Sequence, residues 1–172
     1  MLYTSTRGQT DMVCSAHAIT RGLADDGGLF VPQKFATLTL DEIVAMSELP
    51  YAERAAKILS FFLTDYTEEE LLACTSAAYS EERFSGFAAP LKQVKDKIAV
   101  LELWHGPTSA FKDMALQLLP HLLMKAIEKT GEQNDIVILV ATSGDTGKAA
   151  LEGFADVKGT QIIIFYPDDG VS

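Results

Sequence analysis

The sequence has few of the residues that staple or metallate small folds: its 172 residues hold 2 cysteines and 3 histidines. Cys14 and Cys74 cannot build a disulfide framework or a CxxC metal pair. His17, His105 and His121 are widely spaced and form neither HExxH nor a zinc-finger pattern. Positive charge is also scarce, with 14 Lys and Arg against 24 Asp and Glu and a net charge of -10. That excludes general binding to nucleic acid or to anionic membranes, which needs clustered cations, and leaves room for a local anion pocket. No long apolar run occurs. The most apolar stretch, residues 114–127, is broken by Gln117, Pro120, His121 and Lys125 and falls short of the roughly 20 residues a membrane span needs. The first residues, MLYTSTRGQTDM, carry no apolar run after their charge, so no secretory signal is expected. The expectation is a soluble, cytoplasmic protein. What is present is globular: 48% hydrophobic and 22% charged residues exclude disorder, collagen-like repeats and a coiled coil. The length suits one ordinary domain or two small ones.

The texture changes partway along the chain. Residues 1–85 read as a mostly helical region, opening with a short strand over 2–6 and a helix over 13–22. A turn-rich passage, Ala24-Asp25-Asp26-Gly27-Gly28-Leu29-Phe30-Val31-Pro32, follows. Thr39 with Glu42 and Thr67 with Glu70 are capping boxes that announce two helices, because each Thr can take an orphan backbone N–H while its Glu reaches back. Between them, residues 54–63 carry apolar side chains at helical spacing. Residues 86–172 alternate instead: a strand over 98–103, a helix over 110–129 kinked at Pro120, and a strand over 136–141. A short helix over 146–155 and a strand over 161–166 complete the series. The β-branched run Ile136-Val137-Ile138-Leu139-Val140-Ala141 predicts a strand buried on both faces. Strand, helix, strand, helix, strand is the grammar of a parallel α/β sheet, with ligands beyond the carboxyl ends of its strands.

Two loops lie at that edge. In His105-Gly106-Pro107-Thr108-Ser109-Ala110-Phe111-Lys112-Asp113, Thr108 or Ser109 is expected to cap the helix and leave Lys112 in its first turn. A cation there opposes the helix dipole. Lys112 is then either an exposed, tolerated lysine or a buried one that offers a neutral amine to a carbonyl. The second loop is Ala141-Thr142-Ser143-Gly144-Asp145-Thr146-Gly147. It is either an ordinary capped turn or a cradle of backbone N–H groups and hydroxyls for a carboxylate or phosphate. A nucleotide P-loop does not fit, since Thr142 stands where its first Gly belongs and Ala149 where its Ser or Thr belongs. A GxGxxG fingerprint is absent. His121, on an apolar helix, reads as packed or snorkelling; His105 opens the lysine loop.

Together the two loops resemble those of the threonine synthase family, pyridoxal-phosphate enzymes of the tryptophan-synthase-β class (fold type II). The resemblance rests on residues 101–113, LELWHGPTSAFKD, on residues 141–147, ATSGDTG, and on Tyr166-Pro167 with Gly170-Val171-Ser172. Gly22-Leu23-Ala24 and residues 27–32, GGLFVP, fit the family's N-terminal region. The HGPT-x-AFKD block is specific to threonine synthases and their close relatives; the SGDTG block is shared more loosely within the fold class.

The resemblance implies a role for each matching position. Lys112 matches the catalytic lysine that holds pyridoxal 5'-phosphate covalently and later shuttles protons. Ser143, Gly144, Asp145, Thr146 and Gly147, together with Thr142, match the loop that receives the substrate carboxylate. Asp145 would also face the cofactor, at a position where many relatives carry Asn; an ionised Asp accepts hydrogen bonds and cannot donate them. The implied reaction converts O-phospho-L-homoserine and water to L-threonine and phosphate, a carbon–oxygen lyase chemistry and the last step of threonine biosynthesis. No metal is expected. Threonine synthases are much longer than this chain, and the loop they use for the cofactor phosphate finds no match here. The expectation is therefore an N-terminal piece, a truncated three-layer α/β fold holding the first βαβαβ part of the cofactor domain. Such a piece should be inactive alone and should self-associate through its cut sheet edge. A threonine-synthase-like phospho-lyase and a non-catalytic truncated paralogue are the alternatives.

Overall fold

The structure is a computed structural model and describes residues 1–170. Along the chain run β1 (Tyr3–Ser5), α1 (Ser15–Arg21), β2 (Phe30–Pro32), α2 (Leu40–Ser47), α3 (Tyr51–Ser60) and α4 (Glu68–Ala78). Then follow β3 (Leu91–Lys95), β4 (Ile98–Leu101), α5 (Asp113–Leu116), α6 (Leu119–Thr130), β5 (Ile136–Ala141), α7 (Asp145–Phe154) and β6 (Thr160–Phe165). The helices and small sheets make a mixed α/β fold. Two compact units share the chain: Met1–Ser76 with Leu122–Gln133, and Ala77–His121 with Asn134 onward.

In the first unit, half-buried carboxylates do the work of local caps. β1 and β2 pair antiparallel, Tyr3 opposite Pro32 and Ser5 opposite Phe30; β2 lies in the passage that reads as turns. Asp26 ties that passage down by accepting from the Ser5 hydroxyl at 2.6 Å, the Gly28 N–H at 2.9 Å and the Gln9 N–H at 3.1 Å. Gly28 is required there, because a Cβ would strike the Ser5 Oγ. The residue before α1, Cys14, makes no side-chain cap. Asp65, 49 residues beyond Ala16, supplies it by accepting the Ala16 N–H at 2.9 Å and the Ser15 hydroxyl.

Both expected capping boxes are present. Thr39 and Glu42 exchange side-chain and backbone contacts at α2, and Thr67 and Glu70 do so at α4, at 2.8 and 3.2 Å. The far end of α2 is closed by Arg54, which donates to the carbonyls of Met46, Ser47 and Leu49 at 2.9 to 3.0 Å. The unit's core gathers Leu71, Thr75, Cys74, Tyr66 and Ala126. Each large apolar side chain removed from water there stabilises by about 2 kcal/mol. Tyr66 donates to the Leu122 carbonyl at 3.0 Å, and burial pushes its phenol well above the usual range.

In the second unit, β5 and β6 pair in parallel, Ile138 opposite Ile162 and Val140 opposite Ile164. With α7 between them they form one βαβ crossover. The strand expected to begin the parallel series, β4, pairs antiparallel with β3 in a separate hairpin, Leu91 opposite Leu101, with a bulge between Gln93 and Lys95. Apolar periodicity marks a strand and does not say with which neighbour it pairs. The expected burial of β5 on both faces is also corrected. Ile136, Ile138 and Val140 are half-buried while Val137 and Leu139 are exposed, Leu139 at 66%. The uniform run is compatible with two covered faces, but the described residues cover one, on the side where Ile164 meets α7.

The long helix expected over 110–129 is two helices. α5 stops at Leu116 and α6 starts at Leu119, just before Pro120, whose missing N–H suits a helix start better than a helix middle. Phe84, Ala149, Ala150 and Phe154 fill this unit's core. Among the described residues no helix is long and apolar enough to cross a membrane.

Candidate functional site

Both candidate loops lie in the second unit. The lysine loop is built around Asp113, which is fully buried. The Thr108 N–H donates to its Oδ2 at 2.8 Å and the Thr108 hydroxyl to its Oδ1 at 2.7 Å. The expected capping is thus reversed. Thr108 and Ser109 do not cap the helix; a side chain in the first turn of α5 reaches back and caps the loop. Ser109 stands in the left-handed region at φ 59, a conformation disfavoured for a non-glycine residue and held here by its neighbours. Gly106 is packed against the same carboxyl group, since a Cβ would lie 2.5 Å from both Cβ and Oδ2 of Asp113. His105 is fixed by its Nε2 contact to Glu102 at 2.7 Å and by stacking on Trp104. The hydrogen bond to His105 outweighs the cost of burial and holds the Glu102 carboxyl below its usual range, with Lys92 adding a weaker pull at 3.4 Å.

Lys112 is the N-cap of α5, one position before the helical turn in which it was expected, and makes no side-chain cap. A helix of four residues has little macrodipole, so the dipole argument contributes little at this lysine. Its side chain is half-exposed and its ammonium lies 4.1 Å from the centroid of the Phe111 ring. Among the described residues it has no carboxylate partner. The loop therefore presents an amine that no ion pair occupies, on a rigid turn.

The second loop joins β5 to α7. Thr142 donates its N–H to the Phe165 carbonyl at 2.9 Å, and its Oγ1 accepts the Gly144 N–H at 3.2 Å. Its two glycines differ. Gly144 has open space around it, whereas a Cβ on Gly147 would meet Thr142 Cγ2 at 2.5 Å and Ile164 Cγ2 at 3.3 Å. Only Gly147 is demanded by packing: it lets α7 settle onto β6. Among the described residues the side chains of Ser143, Asp145 and Thr146 have no hydrogen-bond partner. A cavity of about 240 Å³ is lined by Thr142, Gly144, Gly147, Lys148, Ile164 and Tyr166, and none of those three side chains lines it. A larger cavity, about 640 Å³, lies in the first unit between Thr10, His17, Arg21 and Asp25 and includes no residue of either loop.

The structure thus places Lys112 and residues 142–147 in one unit, at the starts of two helices. Val171 and Ser172, part of the expected motif tail, lie outside the described residues. Glu102 and Asp113 were legible only as members of a motif, without roles. The signal available was a single acid in an apolar strand, Leu101-Glu102-Leu103, which asks for a partner when buried. His121, expected to be packed or snorkelling, is half-buried, and burial, with Arg83 adding to it, lowers its pKa.

The whole fold superposes on solved structures of one group of enzymes. The pyridoxal-phosphate-bound threonine synthase from Brucella melitensis matches all of this chain and 37% of its own length, with a TM-score of 0.89 and 38% identity. The family model described as "Threonine synthase N terminus" matches residues 2–79. Threonine synthase of Pseudomonas aeruginosa is 42% identical across the whole chain, and that of Escherichia coli 36% across most of it. Over its whole length the chain is similar to the N-terminal part of the threonine synthase family. It spans 36% of the length of the Pseudomonas relative.

Proposed function

We propose that this chain is the N-terminal part of a threonine synthase that converts O-phospho-L-homoserine and water to L-threonine and phosphate. Within it, Lys112 holds pyridoxal 5'-phosphate, and Thr142, Ser143, Gly144, Asp145, Thr146 and Gly147 receive the substrate. The single observation that carries the reading is Lys112 itself: an amine without an ion pair among the described residues, set on an Asp113-wired turn, in the same unit as a loop whose Ser143 and Thr146 hydroxyls have no partner among them. That donor set fits a carbonyl cofactor and a carboxylate substrate. Bound pyridoxal phosphate supplies an electron sink that acidifies protons on an attached amino acid. With the cofactor bound, Lys112 would hold it and would take the substrate's α-proton and return it. Backbone N–H groups at the start of α7 and the Ser143 and Thr146 hydroxyls hold the carboxylate. Asp145 would meet the cofactor as an acceptor.

In this reading residues 1–85 form the family's N-terminal region and residues 86–172 the first part of its cofactor domain. The grip on the cofactor phosphate is assigned to the part of the family's length that this chain does not span. The isolated chain is then inactive, and its exposed β5 and β6 faces favour self-association. The alternative reading is a threonine-synthase-like phospho-lyase that shares Lys112 with the first. The product, threonine or a keto acid, separates the two.

The test is spectroscopic. The whole protein mixed with pyridoxal phosphate should show the visible band of lysine-bound cofactor, and Lys112→Ala should abolish it along with activity. A mutant that keeps the band refutes the assignment.

A further inference from the structure

We infer that Gly153 and Arg83 are positioning residues for Lys112: they fix α5 against α7 and so set where the lysine stands relative to residues 142–147. The inference rests on the role proposed for Lys112 and deepens it. Lys112 and Leu116 belong to one turn, since the Lys112 carbonyl accepts the N–H groups of Ala115 at 3.1 Å and Leu116 at 2.9 Å. The far side of that turn leans on α7. A Cβ on Gly153 would enter the van der Waals shell of the Leu116 carbonyl oxygen and lie 3.0 Å from its carbon. The obstacle is backbone, which cannot rotate aside as a side chain would, so any larger residue at 153 moves α5 or α7 bodily.

The opposite end of α7 is seated by Gly147 against Thr142 and Ile164. α7 is therefore a strut with a glycine near each end, one resting on β6 beside the substrate loop and the other on the turn that carries Lys112. Arg83 ties the second joint, donating to Gln117 Oε1 at 3.1 Å and to Glu152 Oε1 at 3.4 Å. Gln117 is buried, and its Nε2 has no partner among the described residues. Without Arg83 both polar ends of that amide would be buried and unpaired, which loosens the end of α5.

The test compares Gly153→Ala and Arg83→Met in the whole protein, by amide hydrogen exchange and by kinetics. Exchange over residues 113–117 should quicken about tenfold in Gly153→Ala and about threefold in Arg83→Met, with residues 40–47 at wild-type rates. The kcat for phosphate release should fall about ten- to a hundredfold in Gly153→Ala, as expected for a displacement near 1 Å, while the band of lysine-bound cofactor and the KM hold within about twofold. Unchanged exchange over 113–117 in both variants, or a kcat within about twofold of wild type, overturns the proposal. Should Gly153→Ala fail to fold, the same two readings on Arg83→Met decide. A Lys112→Ala protein that keeps the band refutes the lysine reading instead, and the exchange rates still report whether α5 leans on Gly153.

Discussion

The two loops solve opposite problems with the same kind of joint, a strand or strand-like segment followed by a helix. The lysine loop spends its polar groups on itself. Asp113 takes both donors of Thr108, Glu102 takes His105, and Gly106 is packed against the acid. Lys112 is left over. In the Thr142–Gly147 loop Thr142 is, among the described residues, the only one whose side chain bonds within the loop, while the Ser143, Asp145 and Thr146 side chains have no partner there. A turn whose polar groups are satisfied internally is stiff and presents one group; a turn whose groups are unsatisfied is a receptor for whatever satisfies them. Reactive group and receptor can thus be told apart by where their hydrogen bonds go.

Removing the acid should break this contrast most. Asp113→Ala strips the lysine loop of its centre and leaves both Thr108 donors unmet, for an expected loss of roughly 2–3 kcal/mol. Denaturant unfolding of the chain would show it. A loss under 1 kcal/mol would mean that the loop is held by something else. The glycines sharpen the comparison inside the other loop. Gly147→Ala must displace Thr142 or Ile164 and should cost about 1–3 kcal/mol, whereas Gly144→Ala meets nothing and should stay within about 0.5 kcal/mol of wild type. Since Gly144 costs no stability, any activity lost in Gly144→Ala reports a ligand contact and not packing. Equal stabilities for the two variants would refute the strut geometry.

The smallest effect expected is one of pH. The Glu102 carboxyl is held below its ordinary value of 4.5 chiefly by the hydrogen bond to His105. A lowered folded value means that the unfolded chain takes up the proton first. The stability from this contact is then complete above pH 4.5 and is lost as the pH falls through the lower folded value. The thermal midpoint of Glu102→Gln should lie below wild type at pH 7, and the gap should close as the pH drops below 4.5. A gap that stays constant with pH would assign the stability to packing.

Much of this molecule is legible without coordinates. The capping boxes at Thr39 and Thr67, the strands at Ile136 and Gln161, and the two loops all announce themselves through spacing. Each depends on residues three or four apart or on a run of one residue type. The features that escape such reading depend on residues far apart in the chain. Asp65 caps α1 across 49 positions, β4 turns back on β3 instead of joining the parallel pair, and Asp113 caps the loop that was expected to cap its helix. Gly153 is the sharpest case, since as a glycine inside a helix it reads only as a cost until the Leu116 carbonyl is seen against it.

Local chemistry, then, was settled by the sequence alone: a lysine at one strand-to-helix turn, hydroxyls and glycines at another, and an excess of acidic over basic residues. Tertiary structure decided which of those groups are used up and which remain available, because a buried polar group must find a partner wherever the fold brings one near. Lys112 is the group left available once Glu102 and Asp113 have taken their partners.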